Sequence, residues 1–111
     1  MSSQFHVKDR SGQPLRKASA TEVVAHLAQL PGWALRGDGD DVHIHKTFRF
    51  ADFYQTMAFV NALALVAHRQ DHHPDLGVHY NRCEVRLSTH DVQGLSPADF
   101  EVAAAIDALL A

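Results

Sequence analysis

The chain has 111 residues, 46% of them hydrophobic, enough for one domain with a buried core. A net charge of −3, with lysines and arginines scattered singly, leaves no electrostatic footprint for DNA or RNA. No apolar run approaches the roughly 18 residues of a membrane span, the polar opening MSSQFHVKDRSGQP does not read as a secretory signal, and the lone Cys83 excludes an intramolecular disulfide, so a cytoplasmic location is expected.

Residues 1–17 are expected to form an arm or a short hairpin around Ser11-Gly12, ahead of a domain spanning 18–111. The first helix begins at SATE, where Ser19 caps and Glu22 reaches back as its capping-box partner. Val23, Val24, Leu27 and Leu30 then give an apolar face, and Pro31-Gly32 stops the helix. Two strands follow, with Trp33 and Leu35 on one side of a Gly37-Asp38-Gly39 turn. Beyond the turn, Val42, Ile44, Phe48 and Phe50 share one face while His43, His45, Thr47 and Arg49 take the other. Lys46 interrupts the buried set and is expected at a sheet edge or with its stem reaching solvent.

A second helix is predicted from about Asp52 to Arg69. One stripe holds Phe53, Met57, Val60, Ala64 and Ala67; a second holds Phe59, Leu63 and Val66. One sheet does not easily cover both, which points the second stripe toward another subunit. A hairpin comes next, GVHYN and CEVRLSTH with its turn at Asn81-Arg82, Val78 and Tyr80 pointing one way, as do Cys83, Val85 and Leu87. In that alternation Cys83 reads as a small buried hydrophobe rather than a nucleophile. The last helix opens at Ser96, with Pro97 at its first position and Asp99 completing an S-x-x-D box; Phe100, Ala103, Ala104, Ile106 and Leu110 form its core face. The order helix-strand-strand-helix-strand-strand-helix defines an α+β domain, a four-stranded antiparallel sheet with its helices on one face.

Nine histidines are the compositional oddity, and HRQDHHPD at 68–75 holds three of them. A metal is the first reading. His68 and His72 stand four apart, but the His-Glu-x-x-His arrangement would need Glu where Arg69 sits, and Pro74 ends the helix before His73. Polar residues closing a helix are the second reading, since cations favour its C-terminal carbonyls; this accounts for His68 and Arg69 and poorly for the rest. Acid–base chemistry is the third. Imidazole exchanges protons near neutrality, the adjacent rings of His72 and His73 diverge, Pro74 stiffens the turn, and His90 follows the last strand where loops gather into sites. Spacing disfavours the metal and leaves the other two readings open.

The stretch DHHPDLGVHYNRCEVRLSTHDVQGLSPADF resembles the pterin-4a-carbinolamine dehydratases, also known as dimerisation cofactors of a homeodomain transcription factor. His-His-Pro, then Tyr80, His90 and Asp99, follow in that family's order and spacing, and GWALRGDGDDVHIHKTFRFADFYQTMAFVNALALVAH is similar to its strand pair and long helix. The resemblance implies dehydration of 4a-hydroxytetrahydropterin to quinonoid dihydropterin, with neither metal nor organic cofactor. It implies catalytic roles for His72, His73 and His90, and substrate contacts from Pro74, Tyr80, Asp99 and His68. Animal members carry Glu at the position of His68, so a carboxylate role there is lost. It also implies a homodimer or homotetramer. The rival expectations are a protein-interaction module acting as a coactivator, and a dehydratase for another pterin such as that of the molybdenum cofactor.

Overall fold

The computed structural model describes residues 15–111, so the expected hairpin around Ser11-Gly12 lies outside the described residues. The elements are α1 (Ala20–Leu27), β1 (Ala34–Arg36), β2 (His43–Arg49), α2 (Phe53–Gln70), β3 (Asp75–His79), β4 (Arg82–Leu87) and α3 (Pro97–Ala108). This is the predicted α+β order. The sheet runs β1-β2-β4-β3 with every neighbour antiparallel, so β2 and β4 are its centre.

Local chemistry sets each helix start. Ser19 accepts from the Glu22 N–H while Glu22 accepts from Ser19, and Asp52 accepts from the Gln55 N–H at the head of α2. Strand alternation then supplies the core. Ile44 and Phe48 of β2 face Leu87 and Cys83 of β4, and with Val85 they meet Leu63, Phe59, Phe100 and Ile106 from the helices. Cys83 is fully buried, and burial pushes its thiol pKa up, so it packs as a small hydrophobe.

Several expected core positions move. Val24 on α1 is 70% exposed, and Leu35 is 51% exposed on β1, a three-residue edge strand paired on one side only; Ala104 and Leu110 are also exposed at the outer side and end of α3. On α2 the buried line is Thr56, Phe59, Leu63 and Ala67, so the stripe expected to meet another subunit faces this chain's own core. Thr56 hides in that line because it is polar. Its hydroxyl is shared between the carbonyls of Asp52 and Tyr80, each at 2.9 Å, and nothing is left unsatisfied. The outward set is instead Phe53, Tyr54 and Leu65.

Lys46 is on a central strand rather than an edge. Its Nζ donates to Asp107 Oδ1 at 2.9 Å and to the Pro31 carbonyl at 3.0 Å, and Trp33 Nε1 donates to the same Asp107 carboxylate. An inward lysine is tolerated because α3 brings it a carboxylate. The hairpin turn falls at Tyr80-Asn81, one residue before its expected place, and removes Tyr80 from the strand alternation.

Candidate active site

The end of α2 sets up the site. Its last turn carries the exposed basic residues His68 and Arg69, and Asp71 caps it in the left-handed region at φ 50°, its N–H reaching the Ala67 and His68 carbonyls. The His72 N–H returns to the Ala67 carbonyl, and the chain then reverses through His73 and Pro74 into β3. Pro74 has no N–H to offer a ladder and stands directly before the first paired residue, Asp75. The reversal breaks the helical relation of His68 to His72. His68 stays on the exposed helix surface, whereas the His72 side chain is 11% exposed.

Opposite, β4 ends at Leu87 and a loop closed by paired Thr89 and Gly94 carries His90 on a single 3₁₀ turn. Behind this loop α3 begins. Its Ser96 N–H donates to Asp99 Oδ2 at 3.0 Å, the reciprocal half of the capping box. Asp99 is fully buried and has a further duty. Thr89 Oγ1 donates to the same Oδ2 at 2.8 Å, and Oδ1 lies 2.6 Å from His72 Nε2. Thr89 has one hydroxyl proton, given to Asp99, so the 2.7 Å contact between Thr89 Oγ1 and Ser96 Oγ has serine as donor. With two donors on Oδ2, the carboxylate is built as an acceptor, and His72 meets it with Nε2–H. Nδ1 of His72 is the nitrogen left for a ligand.

His72, His73 and His90 line one cavity of about 420 Å³, floored by Ser88 and Thr89. Asp71 and Asp91 add carboxylates to its rim. The volume suits a small bicyclic heterocycle. His73 and His90 are exposed, so solvent reaches both rings while His72 is held from behind. Two imidazoles open to water and one locked against a carboxylate can deliver and accept protons on different sides of a bound molecule.

The structure thus brings together His72, His73, His90 and Asp99, which are 27 residues apart at the His72–Asp99 contact. It does not bring in the other expected site residues. His68 is turned outward, Pro74 shapes the reversal without lining the cavity, and Tyr80 is 65% exposed at the far end of β3. Five residues of extended chain put Tyr80 roughly 16 Å from that reversal. Sequence reasoning missed Thr89, Ser88 and Leu15. Thr89 was within reach of it, since a buried capping aspartate with a second oxygen lobe needs another donor.

Comparisons with known proteins identify the family. The family model described as pterin 4 alpha carbinolamine dehydratase matches residues 16–109. A Paracidovorax citrulli protein provisionally named pterin-4-alpha-carbinolamine dehydratase is 59% identical over 110 residues, covering 99% of this chain and 95% of the relative. A similarly named protein of Xanthomonas campestris pv. campestris strain B100 is 55% identical, covering 91% and 83%. Among solved structures, a transcriptional coactivator/pterin dehydratase from Brucella melitensis superposes with a TM-score of 0.80 at 30% identity, covering 86% of this chain and all of that one. A pterin dehydratase-like protein described as a RuBisCO assembly factor in the alpha-carboxysome has a TM-score of 0.61 at 28% identity, covering 70% and 88%. Family match, near-full-length relatives and shared fold converge, and the chain belongs to the pterin-4-alpha-carbinolamine dehydratase family.

Proposed function

We propose that this protein dehydrates 4a-hydroxytetrahydropterin to quinonoid dihydropterin, returning a tetrahydrobiopterin-type cofactor toward its reduced form. The observation that carries the reading is the meeting of His72, His73 and His90 on one cavity, with buried Asp99 fixing the first of them, in a chain of this family. In the reaction the carbon–oxygen bond at C4a breaks and the hydroxyl leaves as water, taking a proton from an acid. The neighbouring ring nitrogen gives its proton to a base, and its electron pair forms the new carbon–nitrogen double bond.

His73 and His90, open to solvent, carry the proton delivery and its renewal from water. His72 presents Nδ1 as a fixed acceptor for the ring-nitrogen proton, because Asp99 orients the ring and stabilises the imidazolium that forms. Every step uses side chains and water, so neither metal nor organic cofactor takes part. The protein works in the cytoplasm as a homodimer or homotetramer, with the outward Phe53, Tyr54 and Leu65 of α2 as its contact surface. Light scattering at a mass of one 12.3 kDa chain at high concentration would remove that surface from the scheme.

The test is a stopped-flow dehydratase assay with chelator present. The wild type is expected to accelerate loss of the 4a-hydroxyl, and alanine at His72, His73 or His90 to slow it within about 10²–10⁴-fold. No acceleration by the wild type, or three unchanged variants, sinks the reading. The coactivator name of the Brucella melitensis relative supports a second reading, in which the outer face of α2 meets a different protein in place of another copy of this chain.

A further inference from the structure

We infer that Leu15 is the residue against which the flat face of the substrate rests, and that the segment Leu15–Ala18 is a strap pinned across the domain to put it there. The inference rests on the dehydratase reading and deepens it. Leu15 lies one residue ahead of the family match, which begins at 16. It lines the same cavity as the three histidines and is the one apolar side chain among the described residues that do so. A cavity walled by imidazoles, hydroxyls and carboxylates holds the polar edge of a heterocycle well, yet its ring face also has to leave water, and that requires an apolar surface.

The strap has three anchors. Arg16 makes a bidentate pair with Glu22 of α1, at 2.8 and 2.7 Å. That pair holds the Glu22 carboxyl down at about 2, so it stays ionised at any working pH. One residue on, the Lys17 stem lies over Gly94, where an added Cβ would come within 3.0 Å of Lys17 Cε. Next, the Ala18 N–H donates to the Leu95 carbonyl at 2.7 Å. Gly94 closes the loop that carries His90, so the strap is fastened to the wall of the site it overhangs. Without those anchors Leu15 would be a loose residue ahead of a helix. With them it is half-buried at a fixed place on the rim.

The experiment compares KM and kcat of Leu15→Ala, Leu15→Met and Arg16→Met in the dehydratase assay, alongside fluorescence titration of each with 7,8-dihydrobiopterin. Truncation of an apolar contact made equally in ground and transition states raises KM and leaves kcat. Leu15→Ala is expected to raise KM and weaken 7,8-dihydrobiopterin about three- to tenfold, with kcat within about twofold. Leu15→Met restores both, and Arg16→Met, which frees the strap and keeps the leucine, raises KM by a smaller factor. An unchanged KM in an active Leu15→Ala protein overturns the role of Leu15 and leaves the dehydratase reading standing. A fall in kcat together with melting temperature, unrelieved by methionine, overturns it as a mere packing effect. A wild type that neither accelerates the reaction nor binds the probe ends the dehydratase reading and this inference with it.

Discussion

Asp99 Oδ1 lies 2.6 Å from His72 Nε2 while Asp99 Oδ2 accepts from Thr89 and from the Ser96 N–H, so one fully buried carboxylate both caps α3 and orients a cavity imidazole. Asp99→Asn tests that double duty. The amide has one accepting oxygen, so either His72 or the Thr89 and Ser96 donors lose their acceptor. Orienting partners of functional imidazoles are worth roughly 10–100-fold, and kcat of the variant is expected to fall by that much in stopped-flow assays. Urea unfolding should show a loss of about 1–3 kcal/mol from the stranded buried donors. An unchanged kcat would falsify the orienting role.

Thr89 is the buried link in the same chain, its hydroxyl 2.8 Å from Asp99 Oδ2 and 2.7 Å from Ser96 Oγ. Thr89→Val keeps shape and removes the donor, costing about 1–2 kcal/mol in stability. The His72 ring should also lose part of its alignment, seen as a lower kcat and a shifted acidic limb of the pH–rate profile. Thr89→Ser keeps the hydroxyl and is expected to recover both; if serine behaves like valine, the methyl group matters and the hydrogen bond does not.

Lys46, Trp33 and Asp107 make a polar knot beside the core. The Lys46 side chain is 22% exposed and that of Asp107 25%, so solvent screens the pair in part. Asp107→Ala leaves the indole N–H without its acceptor and Lys46 with only the Pro31 carbonyl and no counter-charge, and a loss of about 2 kcal/mol is expected. Lys46→Met keeps the apolar stem and should lose less than half of that. Equal losses in denaturant titrations would mean that packing, not the stranded cation, sets the effect.

His45, on the helix-free face of the sheet, has its pKa lowered by burial and then by Arg36. Its folded value lies below the ordinary 6.5, so above pH 6.5 both folded and unfolded chains hold it neutral and it contributes nothing. As pH falls through 6.5 the unfolded chain takes up the proton first, and stability drops until the folded value is passed. His45→Gln removes this group and should flatten the decline in unfolding free energy between about pH 7 and 5. A decline as steep as the wild type's would assign the acid sensitivity elsewhere.

The elements were legible because their signals are local. Ser19 with Glu22 and Ser96 with Asp99 are each within a helical turn, and the alternation through Ile44, Phe48, Cys83 and Val85 needs only its own strand. Long-range pairings were not. Lys46 finds Asp107 across 61 positions, a partner no window along the chain contains. Tyr80 fell out of register because a hairpin turn one residue earlier reverses which residues remain paired. On α2 hydrophobicity marked two stripes without saying which one meets the sheet, and the buried line joins Phe59 and Leu63 of one with Ala67 of the other and the polar Thr56. At the site, residue order joined to a family resemblance selected His72, His73, His90 and Asp99 together. The strap that carries Leu15 depends on tertiary anchors and left no pattern to read.

A carboxylate shared between a helix cap and an imidazole has a thermal consequence. Ala98, Asp99 and Phe100 are all buried, so the first turn of α3 belongs to the last part of the domain to open. The hold on His72 should therefore persist on heating until the domain itself melts, with amide exchange at Ala98 to Phe100 as slow as that of β2 and β4. The cavity is thus anchored at its most durable point, the one furthest from solvent.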